Sequence, residues 1–307
     1  MENETVIYGP YVGEFGWEVH AWAPHVCTDI SLHAEEGHTE RRIIVCPVGS
    51  EALYSRAVEH GAELFTINRP EGVSAEWMSL SPNSPTDAIV AIKSEIEARF
   101  GAVRYHEPQP GSKYAQDITD NRVDSPRHDY SVSGPHGPDE SKYLGPGKKS
   151  QKIVIGVVAR GRKDLGQERN FAGWDELVLS LRNRMPGCEV RSLGTEAGNR
   201  HFGEIDLRTY PDAGLFITNA RRCHLLVGES SGTMHLAVAA GVPSVVFGPD
   251  RGRERYRRDN VCGVPMMFIP STEPNPVIVA RQVHRLIQTL RGSNEYINQL
   301  EPRGNVD

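Results

Sequence analysis

The sequence predicts an α/β protein made of two Rossmann-like domains, each a parallel sheet flanked by helices. Three observations predict it. Short strand-like segments, Val6 to Tyr8, Arg42 to Cys46 and Leu64 to Ile67, then Ile153 to Val158, Glu189 to Leu193, Leu225 to Val227 and Ser244 to Pro249, alternate with helical periods. The alternation lapses between Glu107 and Ser150, where Ser133-Gly134-Pro135-His136-Gly137-Pro138 and Gly145-Pro146-Gly147 form turns without a core pattern, and then restarts. Finally, 307 residues of which 38% are hydrophobic suffice for two ordinary cores. The expected division is a first domain over 1–140, a linker over 141–150, a second domain over 151–275, and a terminal segment over 276–307 whose helix packs back on the first domain.

Taken in order, Val6 to Tyr8 runs into the loop Gly9-Pro10-Tyr11-Val12-Gly13-Glu14-Phe15-Gly16-Trp17-Glu18. Its glycines, including Gly13 and Gly16, do not make G-x-G-x-x-G, but they permit close approach of a ligand to the backbone. Val19, Trp22, Ala23, Val26 and Ile30 mark one helical face, and Pro24 within it means that the helix kinks there or begins regular hydrogen bonding near it. Helices over Glu51 to His60 and Asp87 to Phe100 each close on a glycine, Gly61 and Gly101. In the second half, Ile153 to Val158 is continuous enough to be buried on both faces, and the cations Arg160, Arg162 and Arg169 follow it before Trp174. Trp174 to Arg184 and Asp212 to Arg221 read as helices, and Met266 to Ile269 as a strand. Pro276 to Leu290 then places Val279, Val283, Leu286, Ile287 and Leu290 on one side of an amphipathic helix.

Composition narrows the class. A net charge of −6 gives no general attraction to nucleic acid or anionic lipid. Arg251, Arg253, Arg255, Arg257 and Arg258 are a local exception, read either as a solvated loop or as a contact for an anionic substrate. No apolar run reaches the length of a membrane span, and Met-Glu-Asn-Glu lacks the pattern of a secretory signal, so a cytoplasmic protein is expected. The cysteines, Cys27, Cys46, Cys188, Cys223 and Cys262, form no C-x-x-C pair and read as small buried hydrophobes. With no D-x-D, no H-E-x-x-H and no paired His/Cys spacing, no metal or other cofactor is expected.

The densest signal is Val227-Gly228-Glu229-Ser230-Ser231-Gly232-Thr233-Met234-His235-Leu236, followed by an Ala-rich run, Gly241-Val242-Pro243 and Ser244 to Pro249. It reads as strand, turn, helix, strand, with Ser230 or Ser231 as the N-cap and Gly241 at the C′ position. The free backbone N–H groups of such a helix start, near residues 231 to 233, and its dipole favour an anion. Ser230, Ser231 and Thr233 add hydroxyls, Gly232 adds no bulk, and His235 offers an imidazole N–H.

The stretch resembles the "D-T-G-x-x-H-L-A-A-A-L-G-x-P-x-x-x-x-F-G-P" signature of glycosyltransferase family nine, the ADP-heptose lipopolysaccharide heptosyltransferases of the GT-B fold. Ser231, Gly232, His235, Leu236, Ala237, Gly241, Pro243, Phe247, Gly248 and Pro249 match in register, while Ser230 stands where the family usually has Asp. The resemblance implies two Rossmann-like domains facing a central cleft and inverting, metal-independent sugar transfer from a nucleotide diphosphate donor to an acceptor hydroxyl. The family's opening "G-D-x-x-x-x-x-P", with Asp as the proposed base, implies that role for Glu18, which lies six residues before Pro24, although Trp17 and Glu replace Gly and Asp; Glu14 is the reserve. It implies donor-phosphate roles for Arg160 and Arg169, with Arg162 beside them, and a nucleoside contact for Glu196 in Gly194-Thr195-Glu196.

Two rivals stand beside this reading: a sugar-nucleotide epimerase or hydrolase, and a non-catalytic nucleotide-sugar-binding protein. The expected partner is a nucleotide-sugar donor. The acceptor stays open among a glycan, a lipid-linked glycan and a modified nucleic-acid base.

Overall fold

The computed structural model describes residues 4–12, 15–68, 86–107, 152–161, 170–196, 198–209, 212–260 and 263–292. The chain divides into two compact units, Met1–Gly134 with Pro211–Gly214, and Pro135–Tyr210 with Leu215–Asp307. The division at Gly134 precedes the expected 141–150 linker, and both lie outside the described residues.

The first unit contains β1 (Thr5–Tyr8), α1 (Ala23–Glu35), β2 (Arg41–Pro47), α2 (Ser55–Glu59), β3 (Glu63–Ile67), α3 (Thr86–Phe100) and β4 (Val103–His106). Its four strands pair in parallel in the order β3-β2-β1-β4. Ile7, Ile43, Val45, Phe65, Ile67 and Ile96 form the core between sheet and helix. The chain enters α1 through a helical turn, Phe15–Trp17, and a π-helical turn, Glu18–Trp22. Regular α-helix therefore starts where Pro24 falls in its first turn, a position at which the missing N–H costs nothing. The predicted helix at residues 51–60 opens as a 3₁₀ turn, Glu51–Tyr54. Strand β4 is absent from the sequence reading because Val103-Arg104-Tyr105-His106 is a short half-buried edge, too polar to register as an apolar run.

The second unit contains β5 (Val154–Arg160), α4 (Trp174–Arg184), β6 (Glu189–Ser192), β7 (Asn199–Arg200), β8 (Ile205–Asp206), α5 (Ala213–Ala220, of which Ala213 and Gly214 count with the first unit), β9 (Leu225–Glu229), α6 (Gly232–Ala239), β10 (Ser244–Gly248), α7 (Arg253–Asp259), β11 (Met266–Pro270) and α8 (Pro276–Gly292). The sheet order is β11-β10-β9-β5-β6-β8, with β7 antiparallel on β5. Counting the six parallel strands along the chain, this is the doubly wound order 3-2-1-4-5-6, whose direction of winding reverses between β5 and β9. Glycine is required where helix α6 lies on β9: a Cβ at Gly228 would come within 2.8 Å of both Met234 Sδ and the Val158 carbonyl oxygen.

Residues 276–292, expected to pack back on the first domain, bury their apolar stripe in the second unit: Val279, Ala280, Val283, Leu286, Ile287 and Leu290 of α8 lie in one core with Leu177, Val178 and Leu181 of α4. An apolar stripe does not itself say which core it covers. The arginine-rich stretch is a helix rather than a loop, because Gly252 and Tyr256, four residues apart, bury one face of it. Cys27, Cys46, Cys188 and Cys223 are buried thiols as expected, in no disulfide among the described residues, and Cys262 lies outside the described residues.

Candidate functional site

Strands β5 and β9 end side by side, and ligands of parallel α/β sheets bind at such carboxyl ends where the winding reverses. What organises this point is Glu229, 3% exposed, the single charge that ends the apolar run of β9. Its Oε2 accepts the Arg160 N–H at 2.9 Å, and its Oε1 accepts the Phe171 N–H at 3.0 Å and the Trp174 indole N–H at 2.8 Å. One carboxylate thereby ties the end of β5, the loop after it and the start of α4 to β9. Burial pushes its pKa up to about 7 in spite of these N–H donors. Sequence reading passed over Glu229, although a lone acid closing a buried strand was the available signal.

Helix α6 begins three residues later, on the expected turn. Ser231 is the N-cap, with extended backbone, and its Oγ accepts the Met234 N–H at 3.4 Å. The seat is narrower than expected. Tyr256 of α7 sits over it: its hydroxyl accepts the Ser231 N–H at 2.9 Å and donates to the Ser231 carbonyl oxygen at 3.1 Å. The Ser230 side chain is turned toward β10 and α7, where a Cβ at Gly248 would meet Ser230 Cβ at 2.6 Å and one at Gly252 would come within 3.4 Å of Ser230 Oγ. The amides of Gly232 and Thr233 have no protein acceptor among the described residues, and both residues are partly exposed. His235 lies one turn in, 6% exposed, its ring stacked on Tyr256 with centroids 3.8 Å apart and planes 10° apart. Tyr256 was also missed; it is the one aromatic residue in the arginine run.

Other predicted donor residues occupy neighbouring strand ends. Arg160 is 5% exposed, so its guanidinium lies within the protein in this conformation, while Arg162 and Arg169 lie outside the described residues. Glu196 is exposed at the end of β6. Its turn is built on Asn199, whose Oδ1 accepts the Thr195 N–H at 2.9 Å and leaves room only for glycine at position 194, where φ is +110°. Of the arginine run, Arg253 pairs with Asp250 at 3.1 Å and Arg257 with Glu254 at 3.9 Å on an exposed face.

In the first unit the loop after β1 starts at Gly9, with φ +115°, where a Cβ would stand 2.7 Å from the Val45 carbonyl oxygen. Gly16 is buried, and Gly13 and Glu14 lie outside the described residues. Glu18 is 0% exposed in the π-helical turn. Ser50 Oγ donates to its Oε2 and Tyr54 OH to its Oε1, each at 2.9 Å. Burial, with the Glu18 charge beside it, pushes the Tyr54 hydroxyl well above its ordinary range. The carboxylate of Glu18, the expected base, is thus enclosed by its own unit in this conformation.

No protein-family profile matches the sequence, and no curated protein matches it. Solved structures do. The chain is similar to the ADP-heptose lipopolysaccharide heptosyltransferase II of E. coli, with a TM-score of 0.52 and 15% identity over 94% of this chain and 98% of that one. It is also similar to a glycosyl transferase family 9 protein from Veillonella parvula, with a TM-score of 0.48 and 12% identity over 95% and 98% of the two chains. At these identities the likeness is one of fold: the chain is α/β with the two parallel-sheet units of the GT-B class.

Proposed function

We propose that this protein is a GT-B glycosyltransferase that moves a sugar from a nucleotide diphosphate donor to an acceptor hydroxyl, with inversion and without a metal ion. The observation that carries the reading is the start of α6 at the reversal of the doubly wound sheet, where the amides of Gly232 and Thr233 are turned to no other group among the described residues. A leaving diphosphate gathers negative charge as the glycosidic bond breaks, and N–H donors fixed beforehand at a helix start stabilise that charge without reorganising. Thr233 adds a hydroxyl. His235, held by Tyr256, together with Arg160, Arg162 and Arg169, supplies donors and cations in place of a metal, since the sequence has no D-x-D. Glu196, exposed at the end of β6, suits the ribose hydroxyls of the nucleotide.

Proton removal from the acceptor is assigned to the acidic loop after β1. Because Glu18 is fully buried beside Ser50 and Tyr54, the base role passes to Glu14 and Glu18 becomes part of the framework. General base catalysis of this kind contributes on the order of 10² to 10⁴ in rate. Incubation with a panel of nucleotide sugars and acceptors, with nucleoside diphosphate release as the readout, tests the reading. Release that requires an acceptor is expected; turnover of donor alone marks an epimerase or hydrolase, and binding without any release marks a non-catalytic protein. Glu14→Gln should keep donor binding and lose transfer, and wild-type turnover in that variant removes Glu14 from the mechanism.

A further inference from the structure

The C-terminal end of α1 gathers His33, Glu36 and His38, with one ring nitrogen of each histidine and one Glu36 oxygen all within 4.8 Å of one another. Glu36 Oε2 and His38 Nε2 are 3.2 Å apart. Two ligands held about 2.0 to 2.1 Å from a tetrahedral zinc ion stand roughly 3.3 to 3.4 Å from each other, so this pair is already at that separation. The two imidazoles meet edge to face, with centroids 5.1 Å apart and planes at 81°.

The backbone fixes this grouping. Helix α1 ends in a left-handed turn at Gly37, φ +79°, with the Gly37 N–H donating to the Ala34 carbonyl at 3.1 Å and the His38 N–H to the His33 carbonyl at 3.0 Å. That turn folds His38 back over His33. The His33 ring is set independently: its Nδ1 lies 2.9 Å from the Asp29 carbonyl oxygen, and a carbonyl can only accept, so Nδ1 is a donor and Nε2 is the nitrogen that the neutral ring offers as a ligand. The Asp29 carboxylate stands 3.4 Å from the same Nδ1 and is held by the Tyr8 hydroxyl at 2.6 Å. An imidazole whose N–H is backed by an oxygen and whose other nitrogen is free is the arrangement that orients histidine toward a metal.

We propose that His33, Glu36 and His38 form a zinc-binding site that clips the last turn of α1, with water in the fourth position. Two imidazoles and one carboxylate suit zinc, whereas magnesium and calcium take oxygen ligands. Nothing in this assignment depends on the sugar-transfer reading, and its test does not use activity. The full chain, stripped with a chelator and dialysed, is titrated with zinc chloride by calorimetry and melted with and without zinc. We expect one equivalent bound per chain and a raised melting temperature. His33→Gln and His38→Gln should each weaken binding at least tenfold and cancel the thermal shift, with an unchanged far-ultraviolet circular dichroism spectrum. Magnesium chloride should give neither heat nor shift. Absence of zinc binding, or equal affinity in the wild type and the doubly substituted protein, overturns the proposal.

Discussion

Among the described residues each unit buries one glutamate, and the donors seen on the two carboxylates differ. Among the described residues Glu229 accepts only N–H groups, from the backbone of Arg160 and Phe171 and from the Trp174 ring. Glu18 accepts the hydroxyls of Ser50 and Tyr54. An N–H is a donor and nothing else, so whatever replaces Glu229 must still accept. A hydroxyl can rotate and accept in its turn, so the Glu18 cluster tolerates a partner of either polarity. The contrast teaches that the second unit ties the carboxyl ends of β5 and β9 in one arrangement, whereas Ser50 and Tyr54 of the first can exchange their bonds to Glu18.

The contrast breaks first at Glu229. Glu229→Leu strands three buried N–H groups, each worth about 1 to 3 kcal/mol, and should lower the stability of the second unit by at least about 3 kcal/mol in urea unfolding. A loss under about 1 kcal/mol would remove Glu229 from the centre of that unit. The pH dependence gives an effect of nearly the same size. Because burial raises the Glu229 pKa from 4.5 to about 7, the folded chain keeps this proton to a higher pH than the unfolded chain does. Its contribution to stability is therefore complete below about pH 4.5 and is lost as the pH rises through about 7, on the order of 3 kcal/mol in all. Urea melts across that interval should show the decline in the wild type and its absence in Glu229→Gln. Next comes Gly228→Ala, whose new methyl group meets the Val158 carbonyl and Met234, at a cost of about 1 to 3 kcal/mol in the same measurement. Smallest is Glu18→Gln, about 1 kcal/mol, since Ser50 and Tyr54 can turn to suit the amide; a loss as large as that of Glu229→Leu would erase the difference between the two units.

Apolar periodicity made most of the strands and long helices legible, with ends misplaced by a residue or two, because burying a stripe or a run is what those elements do. It did not show β4, β7 or β8, whose two to four residues are partly polar. The turn before α6 was legible as a helix start, since an N-cap and a small residue have a local signature. What seals it was not: Tyr256 reaches Ser231 from 25 residues away, and Glu229 meets Arg160 from 69. Glu18 shows the same limit from the other side, because a motif gives a residue its place along the chain and leaves open which way the side chain points.

The account rests on an anion held by the first turn of α6, and Thr233→Glu tests it most directly. An acid in the first turn of a helix suits the dipole and should leave the fold as stable or slightly more so, by about 0.3 to 1 kcal/mol, while repelling a diphosphate. Thermal melts of both proteins with nucleoside diphosphates are the measurement. At a hundredfold excess over Kd the wild type should gain about 2.7 kcal/mol, several degrees of Tm, and Thr233→Glu should gain nothing. No shift with any nucleoside diphosphate in the wild type, or an equal shift in both proteins, contradicts the account.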